Sequence, residues 1–213
     1  MQPSNMGIMV IALNVTNQNL DKQLYLAKIS RQQIDRCLSL LQESSKTGSN
    51  TANETVLDSN KTPRPSAVLL PLLQRADGWH ILFIRRSQAV SSHKGQIAFP
   101  GGCWEDTDES LLQTALRETR EELGDTIRPI HMLGSLPSVT THSTGFIIYP
   151  FVGILEEPLN LVPDSREVAE VLTLPLTVFI NPSAYDPVEY DVGEINVWGA
   201  TARITHQFLT CLH

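Results

Sequence analysis

The chain has 213 residues, a length that fits one ordinary domain with room for an extra segment and excludes a large multi-domain machine. Its 41% of hydrophobic residues is enough for a packed core and excludes a wholly disordered or collagen-like chain. A net charge of -7 excludes a general nucleic-acid or anionic-membrane binder, because either needs a basic face. A polyanionic substrate would therefore need a local source of positive charge.

The cysteines and the apolar N-terminal stretch indicate the cellular compartment of the chain. Residues 6–13 are far short of the roughly 20 apolar residues that span a bilayer, and no signal-peptide pattern surrounds them. Cys37, Cys103 and Cys211 are odd in number and widely spaced, with no CxxC pair. We therefore expect free thiols in a reducing compartment and a cytoplasmic location.

The N-terminal third of the chain precedes the strand-rich part. Residues 1–21 show no sustained period, although 8–15 could form a short strand or a mobile arm. From Lys22 to Gln42 the apolar residues fall near one helical face, which predicts a peripheral amphipathic helix. The polar residues that follow cannot bury enough surface to offset the entropy of ordering. The predicted division is an arm and helix over 1–43, a flexible linker over 44–63 and the main domain over 64–213.

Strand patterns begin after Pro63. Ser66–Leu73 and Trp79–Ile84 are apolar and are separated by the turn-forming residues 76–78, which predicts a hairpin. A further strand, Gln96–Phe99, is ended by Pro100 and two glycines.

The later part of the chain alternates strands with helices. Asp106, Thr107 and Asp108 are candidate N-caps of a helix that ends before Gly124. Apolar runs follow at residues 131–136, 145–155 and 171–180, and residues 195–205 lead into a last helix. Strands that flank two or so helices predict an α+β layered domain.

One segment combines a glycine pair with an acidic helix. At helical spacing Glu118, Glu121 and Glu122 share an arc of roughly 100°, beside an apolar arc. Two interpretations are open. The carboxylates could form a solvated acidic face, since like charges cost little on an exposed helix. They could also bind a hard cation such as Mg²⁺, which would supply the positive charge that a phosphate substrate needs.

Two neighbouring features suit the second interpretation. Arg117 lies one turn before Glu121 and can orient it through a charge-assisted hydrogen bond. Gly101 and Gly102 have no Cβ, so the backbone can approach a metal or a phosphate closely.

The segment resembles the Nudix box: Gly, five residues, Glu, seven residues, then Arg-Glu-x-x-Glu-Glu-x-Gly and an aliphatic residue. The matching residues are Glu109, Arg117, Glu118, Glu121, Glu122 and Gly124. Two positions depart from the pattern. Six residues separate Gly102 from Glu109, which lengthens a loop, and Asp125 replaces the aliphatic residue, which is expected to loosen the helix end. Neither departure removes a metal ligand.

Other segments resemble the coenzyme A pyrophosphatase subgroup of that family. Leu82–Ser87 contains its Arg-Ser pair, and Gly95–Gly102 reads GQIAFPGG. Later matches bring the resemblance to about residues 65–209; they are Glu167–Val171, Pro175-Leu176 and Val197–Ala202. Ser91 stands where members often have a basic residue, so substrate preference could differ in this chain.

The resemblance implies a Nudix-type α/β/α sandwich with a mixed sheet, preceded by the N-terminal helix and linker. It implies attack of water on a diphosphate phosphorus, assisted by Mg²⁺ or Mn²⁺. With coenzyme A the products would be 4′-phosphopantetheine and 3′,5′-ADP. The partner would be a small nucleotide substrate, with neither nucleic acid nor membrane involved, and the chain would be a monomer or a homodimer.

Roles for individual residues follow from the same resemblance. The metal ligands would be Glu118, Glu121 and Glu122, with Arg117 as the partner of Glu121. The general base would be Glu118 or, from a later loop, Glu167. Apart from the resemblance, Arg86 and Lys94 are the basic residues best placed in the sequence to meet the substrate phosphates, beside Gly101 and Gly102, although either could be an ordinary surface charge.

Two other functions stay open. The chain could hydrolyse a different nucleoside diphosphate derivative, such as ADP-ribose, NADH or a dinucleoside polyphosphate. It could also be a catalytically silent Nudix domain that only binds a nucleotide, although the intact set of glutamates argues against this.

Overall fold

The computed structural model describes residues 24–47, 64–90, 93–124, 130–141, 145–185 and 188–212. The strands in these ranges are β1 (Arg64–Arg75), β2 (Gly78–Arg86), β3 (Ile97–Ala98), β4 (Gly101–Cys103), β5 (Ile130–Ser135), β6 (Val139–Thr140), β7 (Phe146–Leu155), β8 (Val168–Pro175), β9 (Ala184–Tyr185), β10 (Val188–Val192) and β11 (Ile195–Val197). The helices are α1 (Arg31–Thr47), α2 (Leu111–Leu123) and α3 (Gly199–Leu212), with a 3-10 turn at Leu176–Phe179 and a helical run at 24–27.

Eight of the described strands form one mixed sheet. Its central order is β3-β2-β1-β7-β5, while β4 pairs with β1, β6 with β7 and β8 with β2. The β1 and β7 strands run parallel, and the other pairs are antiparallel. The predicted hairpin is confirmed as β1 and β2, with Gly78 at a φ of 123° in the turn. The strands β9, β10 and β11 form a separate small sheet.

Alternate residues of a strand point to opposite sides of a sheet. Helices cover both of these faces in the large sheet. Ile81 and Phe83 of β2 belong to a core cluster that also contains residues of α1 and α3. Leu82 and Ile84 belong to a second cluster, in which they meet Leu123 of α2. The layered α+β architecture expected from the sequence is thus confirmed.

Helix α2 begins later than predicted. Its N-cap is Ser110, whose side chain accepts a hydrogen bond from the backbone N–H of Gln113. The prediction of a cap at Asp106, Thr107 or Asp108 is therefore wrong, because the Asp108 carboxylate is buried among other donors. The helix ends before Gly124 as predicted, with φ of 104° at that glycine.

The N-terminal helix is interrupted where a single helix was expected. Ser30 and Gln33 form a capping box: Ser30 Oγ accepts from the Gln33 N–H at 3.3 Å, and Gln33 Oε1 accepts from the Ser30 N–H at 2.9 Å. This reciprocal cap starts α1 at Arg31. The helix then continues to Thr47, so residues 44–47 are helical although the linker was expected to begin there.

The N-terminal segment packs into the main core and is not peripheral as expected. Ile34 and Leu38 are fully buried in the cluster that includes β2 and α3. The indole N–H of Trp79 donates to the Ile29 carbonyl at 2.8 Å, and the Tyr25 hydroxyl donates to the Leu212 carbonyl at 2.6 Å. The predicted division of the chain into domains stays a prediction.

A disulfide joins Cys37 of α1 to Cys211 of α3, with their Cα atoms 5.5 Å apart. The expectation of three free thiols is therefore wrong for two of them, while Cys103 is free. The two partners are 174 residues apart in sequence, and only the packing of two helices brings them together.

Several expectations concern residues outside the described ranges. They are the arm at 1–21, the remainder of the linker at 48–63, Ser91 and Asp125. Within the described ranges, no helix is long and apolar enough to cross a membrane.

Candidate active site

The glycine loop and helix α2 meet at Glu122. Antiparallel pairing of β4 with β1 places Gly101 opposite Val68. A Cβ on Gly101 would lie 2.6 Å from the Val68 Cα, and the φ of 148° also favours glycine. The Gly101 N–H donates to Glu122 Oε2 at 2.9 Å, and Glu122 is only 1% exposed. The loop therefore fixes one buried carboxylate.

Gly102 makes room for a second carboxylate. A Cβ built on Gly102 would lie 2.5 Å from both carboxylate oxygens of Glu118. No real side chain tolerates that distance, so Glu118 occupies its position only because Gly102 lacks a side chain.

Arg117 links the loop to the acidic residues of the helix. Its Nη1 donates to Glu118 Oε1 and to Glu121 Oε2, each at 3.1 Å, and its Nη2 donates to the Cys103 carbonyl at 3.2 Å. The Glu121 side chain is 56% exposed, whereas that of Glu118 is 16% exposed. Arg117 is thus placed to orient both carboxylates, as expected for Glu121 from the sequence.

Asp108 completes this arrangement, and the sequence pattern had indicated no role for it in the site. Its carboxylate accepts two hydrogen bonds from Arg117, one from the Thr114 hydroxyl at 2.9 Å and one from the Glu105 N–H at 3.0 Å. Five residues separate Gly102 from Asp108, as between the Gly and the first Glu of the Nudix box, whereas eight residues and not seven separate Asp108 from Arg117. That spacing is the signal that could have identified Asp108, whereas the neighbouring Glu109 is exposed.

Arg86 also approaches the Glu122 carboxylate. Its Nη1 lies 3.6 Å from Glu122 Oε1, and its side chain is 23% exposed. The Arg86 Nε is buried and has no hydrogen-bond partner among the described residues. A buried donor of this kind suits an anionic ligand oxygen.

A turn over residues 164–167 brings Glu167 into the region of Arg86 and Glu122. The Asp164 N–H donates to the Glu122 carbonyl at 3.1 Å, and the Ser87 N–H donates to the Glu167 carbonyl at 2.8 Å. Next to it a bulge in β8 shifts the register so that Arg86 pairs with Val168. A cleft of about 420 Å³ results, lined by Arg86, Val90, Arg166 and Glu167.

The carboxylates differ in their electrostatic environments. Burial raises the pKa of Glu122 to about 8 from 4.5, although the Gly101 N–H and Arg86 oppose this, and Glu118 and Glu167 add to it. Burial also raises the pKa of Glu118, against the influence of Arg117. Hydrogen bonds from Arg117 hold the pKa of Asp108 well below its usual range. Asp108 is therefore an anionic anchor, while Glu118 and Glu122 gain from a nearby positive charge.

Not every predicted residue reaches the site. Lys94 is exposed, does not line the cleft and makes no ion pair with any residue in the described ranges. The Glu167 side chain is exposed and lines the cleft, and its charge adds to the rise in the pKa of both Glu118 and Glu122.

The donor set suits a hard divalent cation. Among the described residues no group of three or more His, Cys, Asp or Glu side chains forms a preformed metal site. Magnesium is commonly held by one or two carboxylates together with waters and substrate phosphate oxygens. Glu118 and Glu122 offer that number, and a Cβ on Gly102 would fill the space that the Glu118 carboxylate occupies.

A glycine loop and an acidic helix on a mixed sheet accompany a match to a family of hydrolases that act on pyrophosphate bonds. The NUDIX domain model matches residues 62–192, and the chain belongs to the Nudix hydrolase family, whose members cleave nucleoside diphosphate derivatives and generally use divalent metals. The predicted family is thereby confirmed.

Relatives share the family, and solved structures share the fold. Proteins named uncharacterized Nudix hydrolase NudL are similar: that of Photorhabdus laumondii is 35% identical over 68% of this chain and 82% of its own length. That of Cronobacter sakazakii is 37% identical over 70% of this chain and 83% of its own. A Nudix hydrolase from Alicyclobacillus acidocaldarius superposes with a TM-score of 0.52, at 17% identity over 73% of this chain and 95% of that one. A MutT protein from Methanosarcina mazei gives 0.51, at 21% identity over 70% and 94%. These structures show the fold.

Proposed function

We propose that the chain hydrolyses the diphosphate of coenzyme A or its derivatives, releasing 4′-phosphopantetheine and 3′,5′-ADP. The observation that carries the proposal is the meeting of Arg86 and Gly101 at Glu122, at 3.6 and 2.9 Å. Arg86 belongs to the upstream Arg-Ser segment, Gly101 to GQIAFPGG and Glu122 to the Nudix box. The segments that resemble the coenzyme A subgroup therefore contact the residues that resemble the catalytic box.

Glu118 and Glu122 are proposed as ligands of Mg²⁺ or Mn²⁺, with Glu121 contributing from the exposed edge. A divalent cation held there would neutralise charge that develops on the diphosphate and would favour ionisation of the attacking water. Arg117 holds Glu118 and Glu121 in place, and Asp108 in turn holds Arg117. The chain thus positions its ligands before substrate arrives, which reduces the entropy lost on binding.

A water molecule attacks one phosphorus of the diphosphate, the bridging P–O bond breaks, and the water proton passes to a carboxylate. Glu167 and Glu118 are the two candidates for that base. Glu167 lies on the cleft wall and is exposed, so it can take a proton from water without leaving a ligand position. The exposed Glu167 is therefore the base that we favour.

Substrate phosphate is proposed to bind Arg86, beside the loop at Gly101 and Gly102. The unpartnered Nε of Arg86 provides a donor next to the metal carboxylates. Lys94 is proposed as a second phosphate contact for a substrate that extends to the exposed loop before Gly95.

Substitution of Glu122 tests the proposal. E122Q keeps the shape of the side chain and removes its charge, so turnover of coenzyme A should fall at least about a hundredfold while the chain stays folded. The matched control is E170Q, because Glu170 is 48% exposed and pairs with Arg85 away from the cleft. Full activity in E122Q contradicts the metal assignment. If the wild-type chain cleaves only ADP-ribose, NADH or a dinucleoside polyphosphate, that compound replaces coenzyme A as the proposed substrate. If it cleaves none of these compounds, the result supports a silent binding domain.

A cytoplasmic location stays a prediction.

A further inference from the structure

The cleft beside Glu122 contains a second arginine that the proposed chemistry does not use. Arg166 lines this cleft together with Arg86, Val90 and Glu167. Its side chain is 85% exposed, so a ligand that enters the cleft can reach it.

Asp164 fixes the position of Arg166. The Arg166 Nε donates to both carboxylate oxygens of Asp164 at 3.0 Å, its Nη2 donates to Oδ2, and its backbone N–H donates to Oδ1 at 2.9 Å. The Asp164 N–H in turn donates to the Glu122 carbonyl at the end of α2. The guanidinium is therefore oriented by an ion pair within a turn that is hydrogen-bonded to the acidic helix.

Part of this guanidinium is available to a ligand. Asp164 occupies the Nε and Nη2 donors, and Nη1 of Arg166 has no hydrogen-bond partner among the described residues. Two N–H groups on one planar cation match a phosphate oxygen in geometry and charge. Asp164 and Glu167 are the acidic groups that oppose anion binding at this wall, and Arg86 is the other cation on it.

The two arginines serve different parts of a ligand. Arg86 pairs with Glu122, so it meets the diphosphate that the metal carboxylates hold. Arg166 pairs with Asp164, which is not one of the proposed metal-binding carboxylates. We propose that Arg166 binds a phosphate monoester of the substrate outside the scissile diphosphate, and so favours substrates that carry one. The inference rests on the proposed function, and in coenzyme A this group is the 3′-phosphate of the ribose.

Nucleotide binding by the full chain tests this without turnover. Calorimetry compares 3′,5′-ADP with 5′-AMP, which differ by the 3′-phosphate. The wild-type chain should prefer 3′,5′-ADP, and R166A should reduce that preference about five- to tenfold, because one charge-assisted hydrogen-bonding group is lost. R166K should retain part of it. R85A is the matched control, because Arg85 pairs with Glu170 and does not line the cleft.

Kinetics separates the two proposals. R166A should raise KM for coenzyme A about five- to tenfold, and should raise KM for 3′-dephospho-coenzyme A by less than about twofold. Equal binding of the two nucleotides by the wild-type chain, no binding of either, or a preference that survives in R166A overturns the inference. If the preference depends on Arg166 but coenzyme A is not cleaved, the inference stands and the proposed function fails.

Discussion

Arg117 and Asp108 form a two-point ion pair, with Nε 2.9 Å from Oδ1 and Nη2 3.0 Å from Oδ2. The Asp108 side chain is 3% exposed and that of Arg117 is 23% exposed. Because the same guanidinium also contacts Glu118 and Glu121, the buried aspartate helps to determine where two of the proposed metal-binding carboxylates lie. The geometry of the acidic helix therefore depends on a residue in the loop that precedes it.

Neutralising Asp108 should damage both stability and activity. In D108N the free energy of unfolding should fall by about 3 kcal/mol, since Arg117 loses its buried counter-charge. The kcat of the protein that remains folded should fall more than tenfold. Urea denaturation and steady-state kinetics measure the two effects. E109Q, at the neighbouring exposed position, should change the free energy of unfolding by less than about 0.5 kcal/mol; an equal loss in both variants would contradict the assignment.

Adding one methyl group at Gly102 should displace Glu118. The new Cβ in G102A would lie 2.5 Å from both oxygens of that carboxylate, so the side chain must move. We expect kcat to fall at least about tenfold with a native circular dichroism spectrum. C103A is the matched control at the adjacent residue and should retain most activity. Wild-type kinetics in G102A would show that Glu118 is not needed in its present position.

The stability of the metal-free chain should fall as pH rises, because burial raises the pKa of Glu122 to about 8 from 4.5. Below pH 4.5 the group is protonated in both the folded and the unfolded chain. Between pH 4.5 and about 8 the unfolded chain ionises first, which lowers the free energy of unfolding. E122Q should show a shallower fall across this window in denaturation experiments with EDTA. Parallel curves for the two proteins would show that Glu122 does not cause the fall.

The N-terminal helix should contribute to the stability of the whole domain. Leu38 is fully buried between α1 and the core, so L38A should lower the free energy of unfolding by about 2–5 kcal/mol. L24A is the control, because Leu24 is 47% exposed, and it should have little effect. Kinetics at a temperature where L38A is folded should show near-normal KM. A stability loss no larger than that of L24A would mean that the helix is dispensable.

Local patterns predicted much of the fold. The hairpin of β1 and β2 and the C-terminal end of α2 at Gly124 follow from apolar runs and turn residues, which act over a few positions. The acidic helix face could be read in the same way. These features need no knowledge of what packs against them.

Long-range packing determined the features that sequence patterns did not predict. The Cys37–Cys211 pair depends on the docking of two helices 174 residues apart. The role of Asp108 depends on a loop that folds back on Arg117, and its carboxylate resembled a helix cap when only neighbours were considered. The place of Arg166 on the cleft wall depends on the turn at Asp164 docking on α2.

The most direct test of the proposed coenzyme A hydrolysis is product analysis by mass spectrometry. The purified chain is incubated with coenzyme A and Mg²⁺ or Mn²⁺, beside parallel samples with ADP-ribose, NADH and diadenosine polyphosphates. We expect metal-dependent release of 3′,5′-ADP and 4′-phosphopantetheine from coenzyme A, well above cleavage of the other substrates. Intact coenzyme A in the presence of metal, or cleavage that persists in EDTA, would contradict the proposal.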